Sequence, residues 1–80
     1  MDYGKEFRDF IVSNFLFGDE TPLQDDTSFL ESGIIDSTGM LELIMFLEHK
    51  FGISVKPEEM VPENLDSINC LVDFIMRTLA

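Results

Sequence analysis

Glu31-Ser32-Gly33-Ile34-Ile35-Asp36-Ser37-Thr38-Gly39-Met40-Leu41-Glu42-Leu43 runs a glycine turn and an apolar pair into an Asp-Ser helix start. Asp36 is placed to cap a helix that begins at or near Ser37. Its carboxylate can accept a hydrogen bond from one of the first N–H groups, which have no partner inside the helix. Ser37 is therefore expected at the tip of a rigid element with its hydroxyl toward solvent. An anion attached there would sit at the positive end of the helix, where free N–H groups and the macrodipole favour negative charge.

The helix should continue to about Phe51, with Gly52 ending it. Met40, Leu43, Ile44, Leu47 and Phe51 form its core stripe. Thr38, Leu41, Glu42, Met45, Glu48 and His49 fall on a second stripe, turned away by a third of a turn or more at ~100° per residue. That second stripe mixes apolar and acidic side chains.

Upstream, Tyr3, Phe7, Phe10, Ile11 and Phe15 recur at three and four residue intervals, which predicts a helix from Tyr3 to about Phe17 with Gly18 as its stop. Asp19 to Ser28 holds Pro22 among acids and hydroxyls and reads as a long surface loop, its far end pinned to the core by Phe29 and Leu30. Downstream, Ile53 and Val55 alternate with Ser54 and Lys56 in a short extended link. Pro57-Glu58-Glu59-Met60-Val61 suggests one or two helical turns closed by Pro62. A last helix opens at Asp66 or Ser67 with Ile68, Leu71, Val72, Ile75 and Leu79 on one face. The expected architecture is all-α: a small, irregular four-helix bundle of three longer helices and one short one, up-down with one long first loop.

Eighty residues, eight of them Phe, fit a single domain over residues 1–80. With one cysteine, Cys70, an intramolecular disulfide or a cysteine metal cluster is ruled out, which fits a reducing cytoplasm. The formal net charge of -11 repels nucleic acid phosphates and anionic lipid surfaces and favours basic protein surfaces. The acidic start lacks the apolar run of a signal peptide, and no segment approaches the ~20 apolar residues of a membrane span. A soluble cytoplasmic monomer without membrane insertion or nucleic acid partners is the expectation.

Several motifs have ordinary readings. Asp-Ser before an amphipathic helix is by itself a capping signature, and the chain has two, Asp36-Ser37 and Asp66-Ser67. His49 stands alone and reads as a surface residue. Asp19, Asp25 and Asp26 lack the glycine and glutamate spacing of a calcium-binding loop. Cys70 reads as a helix residue near the core edge. No nucleophile, base and oxyanion constellation can be assembled, so no catalytic or metal-binding residue is assigned.

The run Ser32-Gly33-Ile34-Ile35-Asp36-Ser37, then Glu42-Leu43 and Leu47-Glu48-His49-Lys50-Phe51-Gly52-Ile53, closely resembles the acyl carrier protein family. The match continues through Val55, Glu58-Glu59-Met60, Pro62-Glu63-Asn64-Leu65 and Asp66-Ser67-Ile68. The resemblance implies that Ser37 receives a covalent 4'-phosphopantetheine arm from coenzyme A by the action of a phosphopantetheinyl transferase. The arm's thiol would carry acyl or aminoacyl intermediates as thioesters between ligases or synthases with basic docking patches. It further implies a docking surface at Asp36, Thr38, Leu41, Glu42, Met45 and Glu48.

The chain departs from the commonest fatty-acid-type pattern at Thr38, where Leu is usual, at Gly39, where Asp is usual, and at His49 and Lys50, which replace acids. Gly39 is expected to loosen the first turn, at up to ~1 kcal/mol relative to Ala. The Gly-Ile-Ile-Asp-Ser, Phe-Gly-Ile and Pro-Glu-Asn-Leu pieces look more like stand-alone carriers of specialised pathways. The cargo stays open among fatty acyl, polyketide, hydroxy-acyl and aminoacyl groups. An unmodified acidic interaction module with a carrier-like fold is the alternative from another class, and an acidic calcium sensor is a third.

Overall fold

The computed structural model describes residues 2–80. Among these residues five helices follow in order: α1 (Tyr3–Phe15), α2 (Phe29–Ser32), α3 (Ser37–Phe51), α4 (Pro62–Leu65) and α5 (Ile68–Leu79), with a 3-10 turn at Pro57–Glu59. The three long helices carry the bundle, and among the described residues there is no strand.

Asp2 caps α1 by accepting the Lys5 N–H. Phe7 and Ile11 are fully buried on its inner face. The helix ends at Phe15, two residues before the sequence expectation, because Phe17 and Gly18 both take the left-handed conformation, at φ of 53° and 87°. A non-glycine residue at positive φ cannot continue a right-handed helix.

A seam of aromatic rings sets the pairing of α1 with α3. Tyr3 meets Phe51, Phe7 meets Phe51 and Phe46, and Phe10 stacks on Phe46 with ring centroids 4.0 Å apart. As residue numbers rise along α1 they fall along α3, so the two helices are antiparallel. Phe15, in edge contact with Phe10, ends the seam against the first turn of α3. The Lys50–Glu6 ion pair spans the opposite end at 3.3 Å.

The segment from Leu16 to Ser28 is a loop without helix or strand, yet it is tied down. Leu23 is buried, and the Arg8 guanidinium donates to its carbonyl at 2.9 Å and to the Asp25 carboxylate at 2.6 Å. Phe29 pins the far end as expected, but Leu30 faces outward. Ser28 caps the short α2, and Gly33 ends it at φ 78°.

Beyond α3, the Pro57 turn forms where expected, but Pro62 does not close it. Proline at the first position of α4 starts that helix, where its missing N–H would have had no partner anyway. On α5, Ile68, Leu71, Phe74 and Ile75 are buried, while Leu79, assigned to the inner face from its spacing, is exposed at the last turn. Phe74, absent from the expected stripe, is buried.

Candidate functional site

The two Asp-Ser steps, alike in sequence, are used in opposite ways. At the start of α3 the aspartate is the cap: Asp36 Oδ1 accepts the Gly39 N–H at 2.7 Å. Ser37, the first helical residue, is exposed. At the start of α5 the serine is the cap: Ser67 Oγ accepts the Cys70 N–H at 3.1 Å and is 7% exposed. Asp66 turns away from that helix. Its carboxylate accepts from the Ser28 hydroxyl and from the Leu30 N–H, and its carbonyl accepts from the Phe29 N–H. One hydroxyl is consumed in the core edge, and the other is left free.

The surroundings of Ser37 suit an attached anion. Within α3 itself the first turn holds no acid, the one carboxylate at that end being the Asp36 cap, and the two basic residues, His49 and Lys50, lie in the last turn. Thr38 is exposed beside it. A small, flexible, negatively charged group on the Ser37 oxygen meets open solvent on one side and a rigid first turn on the other.

Gly39 is not the loosened position expected from its propensity. It is buried, and a Cβ built there would lie 2.8 Å from Phe15 Cε1 and 3.1 Å from Ile35 Cγ2. The absent side chain lets the Phe15 ring close against α3 two residues from Ser37. Sequence reasoning missed this contact. A glycine inside the first turn of a capped helix was the available signal, but it was read through backbone entropy instead of fit.

Of the expected docking positions, Asp36, Thr38, Leu41, Glu42 and Met45 are exposed. Leu41 and Met45 are 60% and 67% exposed, large apolar side chains one turn apart on the outer face of α3. Glu48 is drawn inward. It is half-buried, and its Oε2 accepts the Val55 N–H at 2.9 Å, holding the extended link after the helix. Among the described residues no group of three or more His, Cys, Asp or Glu side chains is placed to hold a metal ion. Among the described residues, too, no helix is long and apolar enough to cross a membrane.

Comparison with known proteins adds to this geometry. The family model for the phosphopantetheine attachment site matches residues 16–75. An acyl carrier protein of Thermosynechococcus vestitus is 36% identical over 70 residues, covering 88% of this chain and 84% of its own length. A probable acyl carrier protein, PigG, of Serratia sp. is 29% identical over 88% of this chain and 80% of its own. A D-alanyl carrier protein of Streptococcus suis is 28% identical over 86% of each chain. Among solved structures, a chain in the crystal structure described as that of an FAD-dependent dehydrogenase superposes with a TM-score of 0.76 at 29% identity. That match covers 86% of this chain and 97% of the other.

Proposed function

Since the chain belongs to the acyl carrier protein family, whose members bear covalent 4'-phosphopantetheine and are carriers without catalytic activity of their own, we propose that Ser37 is the attachment residue here. The observation that carries this reading is the division of labour at the two Asp-Ser steps. Only Ser37 combines a free, exposed hydroxyl with a cap supplied by its neighbour, whereas Ser67 spends its oxygen on Cys70.

When bound, the arm supplies a thiol that holds an acyl or aminoacyl group as a thioester. The chain's own residues do the positioning. Asp36 fixes the first turn and with it the direction of the Ser37 Cβ–Oγ bond, and the positive end of α3 favours the phosphodiester charge. Among the described residues no side chain hydrogen-bonds the Ser37 hydroxyl, and in this reading the base and metal of the transfer are supplied, as the family resemblance implies, by the phosphopantetheinyl transferase. Tethering keeps the cargo at high local concentration at each docked enzyme.

Docking uses the exposed face of α3: Thr38, Leu41, Glu42 and Met45, with Asp36 beside the attachment point and Glu48 at the inner edge. Acids around two bare apolar side chains suit a partner patch that is basic at its rim and apolar at its centre. The attraction is screened by salt, so the contacts are weak and release is quick. The partners in this reading are a phosphopantetheinyl transferase and acyl or aminoacyl ligases or synthases. The resemblance to a chain slightly shorter than this one, in a structure described as that of an FAD-dependent dehydrogenase, supports a flavin dehydrogenase among them. The reading is of a single-domain, monomeric, stand-alone carrier in the cytoplasm. An unmodified interaction module is not favoured, because the family match spans the attachment region and the serine is free.

Intact mass after incubation with coenzyme A and a promiscuous phosphopantetheinyl transferase tests the proposal. A gain of one arm is expected, and a chain that stays at its original mass would overturn it. Offering the loaded protein to acyl and aminoacyl ligases then sorts the cargo class.

A further inference from the structure

Phe17 is 97% exposed, far more than Leu41 or Met45. A single exposed apolar residue is ordinary on a protein surface. What sets Phe17 apart is how it is held. Its φ of 53° is a conformation that a bulky side chain adopts only when the surrounding chain imposes it. Here the imposition is visible: the Leu16 and Gly18 N–H groups both donate to the Val12 carbonyl, at 3.3 and 3.0 Å, and the Asp19 N–H donates to the Leu16 carbonyl at 3.0 Å. The ring is therefore displayed on a tied turn and not on a loose end.

Its position relates it to Ser37. Phe15 touches the first turn of α3 at Gly39, so the turn that follows α1 lies at the same end of the bundle as the attachment serine. Chain geometry bounds the distance: the Phe15 ring contact at Gly39, with two residues from Phe15 to Phe17 and two from Gly39 to Ser37, keeps the Phe17 and Ser37 backbones within about 25 Å. Asp19 and Glu20, both exposed, follow Phe17 directly. The Thr21 hydroxyl, and then its backbone N–H, hold the Asp19 carboxyl below its ordinary pKa.

An enzyme that acts on the cargo can be met through a flexible arm, but the enzyme that esterifies Ser37 must bring its own active site to that oxygen. A standard interface patch of about 800 Å² per partner is roughly 30 Å across, so one that covers Ser37 has room to cover Phe17 as well. We propose that Phe17 is an anchor for the phosphopantetheinyl transferase, its ring entering an apolar pocket rimmed by basic side chains that face Asp19 and Glu20. Rigid aromatic anchors inside a charged collar are the kind of contact that dominates binding energy. This inference rests on the reading of Ser37 as the attachment residue. It concerns the turn after α1, separate from the α3 face.

The test uses Phe17→Gly, which suits the left-handed backbone, so that any loss is not a loss of folding. Binding to a promiscuous phosphopantetheinyl transferase with coenzyme A present is measured by calorimetry in the unmodifiable Ser37→Ala background, with and without Phe17→Gly. Loading kinetics are followed by intact mass in the Ser37 protein. The expected result is a Kd raised at least about tenfold, an equal fall in kcat/KM arising in KM, an intermediate effect for Phe17→Leu, and a thermal midpoint unchanged or raised for Phe17→Gly. Wild-type Kd and loading rate in Phe17→Gly would overturn the anchor while leaving Ser37 standing. Absence of any mass gain in the wild-type protein would remove both.

Discussion

The Asp36 carboxylate accepts the Gly39 N–H at 2.7 Å, completing the cap of α3 without using the serine that lies between them. Asp36→Ala should therefore destabilise the fold by about 1 kcal/mol, while Asp36→Asn, an equally good cap, should stay within a few tenths. Urea unfolding of the two variants measures this. Equal losses in both would show that charge, and not capping, is what Asp36 contributes.

Gly39 and Phe15 make a second coupled pair. Alanine at position 39 gains up to about 1 kcal/mol of helix propensity but forces the Phe15 ring aside, at about 1–3 kcal/mol for overpacking. Gly39→Ala is expected to be destabilising in the native background and neutral or stabilising once Phe15→Leu has made room. Denaturation across the four proteins of this double-mutant cycle gives the coupling. Additive effects would mean that the ring yields freely.

The long loop is closed by Asp66, which holds Ser28 and Leu30 across 38 and 36 residues of sequence. Hydrogen bonds to a carboxylate are among the stronger ones, so Asp66→Ala should cost about 2–3 kcal/mol. Hydrogen exchange should localise the loss to residues 28–33 and the start of α5. A uniform loss of protection across the bundle would contradict the clasp.

Glu42 and Glu48 should separate cleanly. Glu42 is exposed, so Glu42→Gln should leave stability within about 0.5 kcal/mol and slow transferase loading several-fold at low salt, with the difference fading as salt is added. Glu48→Ala removes the acceptor of the Val55 N–H and should lower stability by about 1 kcal/mol, with the smaller effect on loading. A reversed pattern, with Glu48 controlling loading and Glu42 controlling stability, would contradict this assignment of the α3 face.

Much of this arrangement was legible from local pattern. Leu43, Ile44 and Leu47 at helical spacing define α3, Asp36 and Gly52 bound it, and all of that is information within a few residues. The Asp66-Ser67 step was harder, because either residue can cap. What decides between them is Ser28, which competes for the Asp66 carboxylate from the far end of a loop. Gly39 was misread for a related reason: its propensity is local, whereas the ring that requires its small size belongs to α1. Pro62 is compatible with either closing a turn or opening a helix, and the three helical residues after it gave too little periodicity to choose. Leu23 reaches the core from within a polar loop, where no period points inward.

The most direct measurement is intact mass of Ser37→Ala and Ser67→Ala after exposure to coenzyme A and a promiscuous phosphopantetheinyl transferase. Ser67→Ala gives up a helix cap, about 1 kcal/mol, and should remain folded. It is expected to gain one arm as the wild-type protein does, with the arm mapped to the peptide containing Ser37, while Ser37→Ala stays at its starting mass. An arm acquired by Ser37→Ala, or none acquired by either the wild type or Ser67→Ala, would contradict the assignment of Ser37.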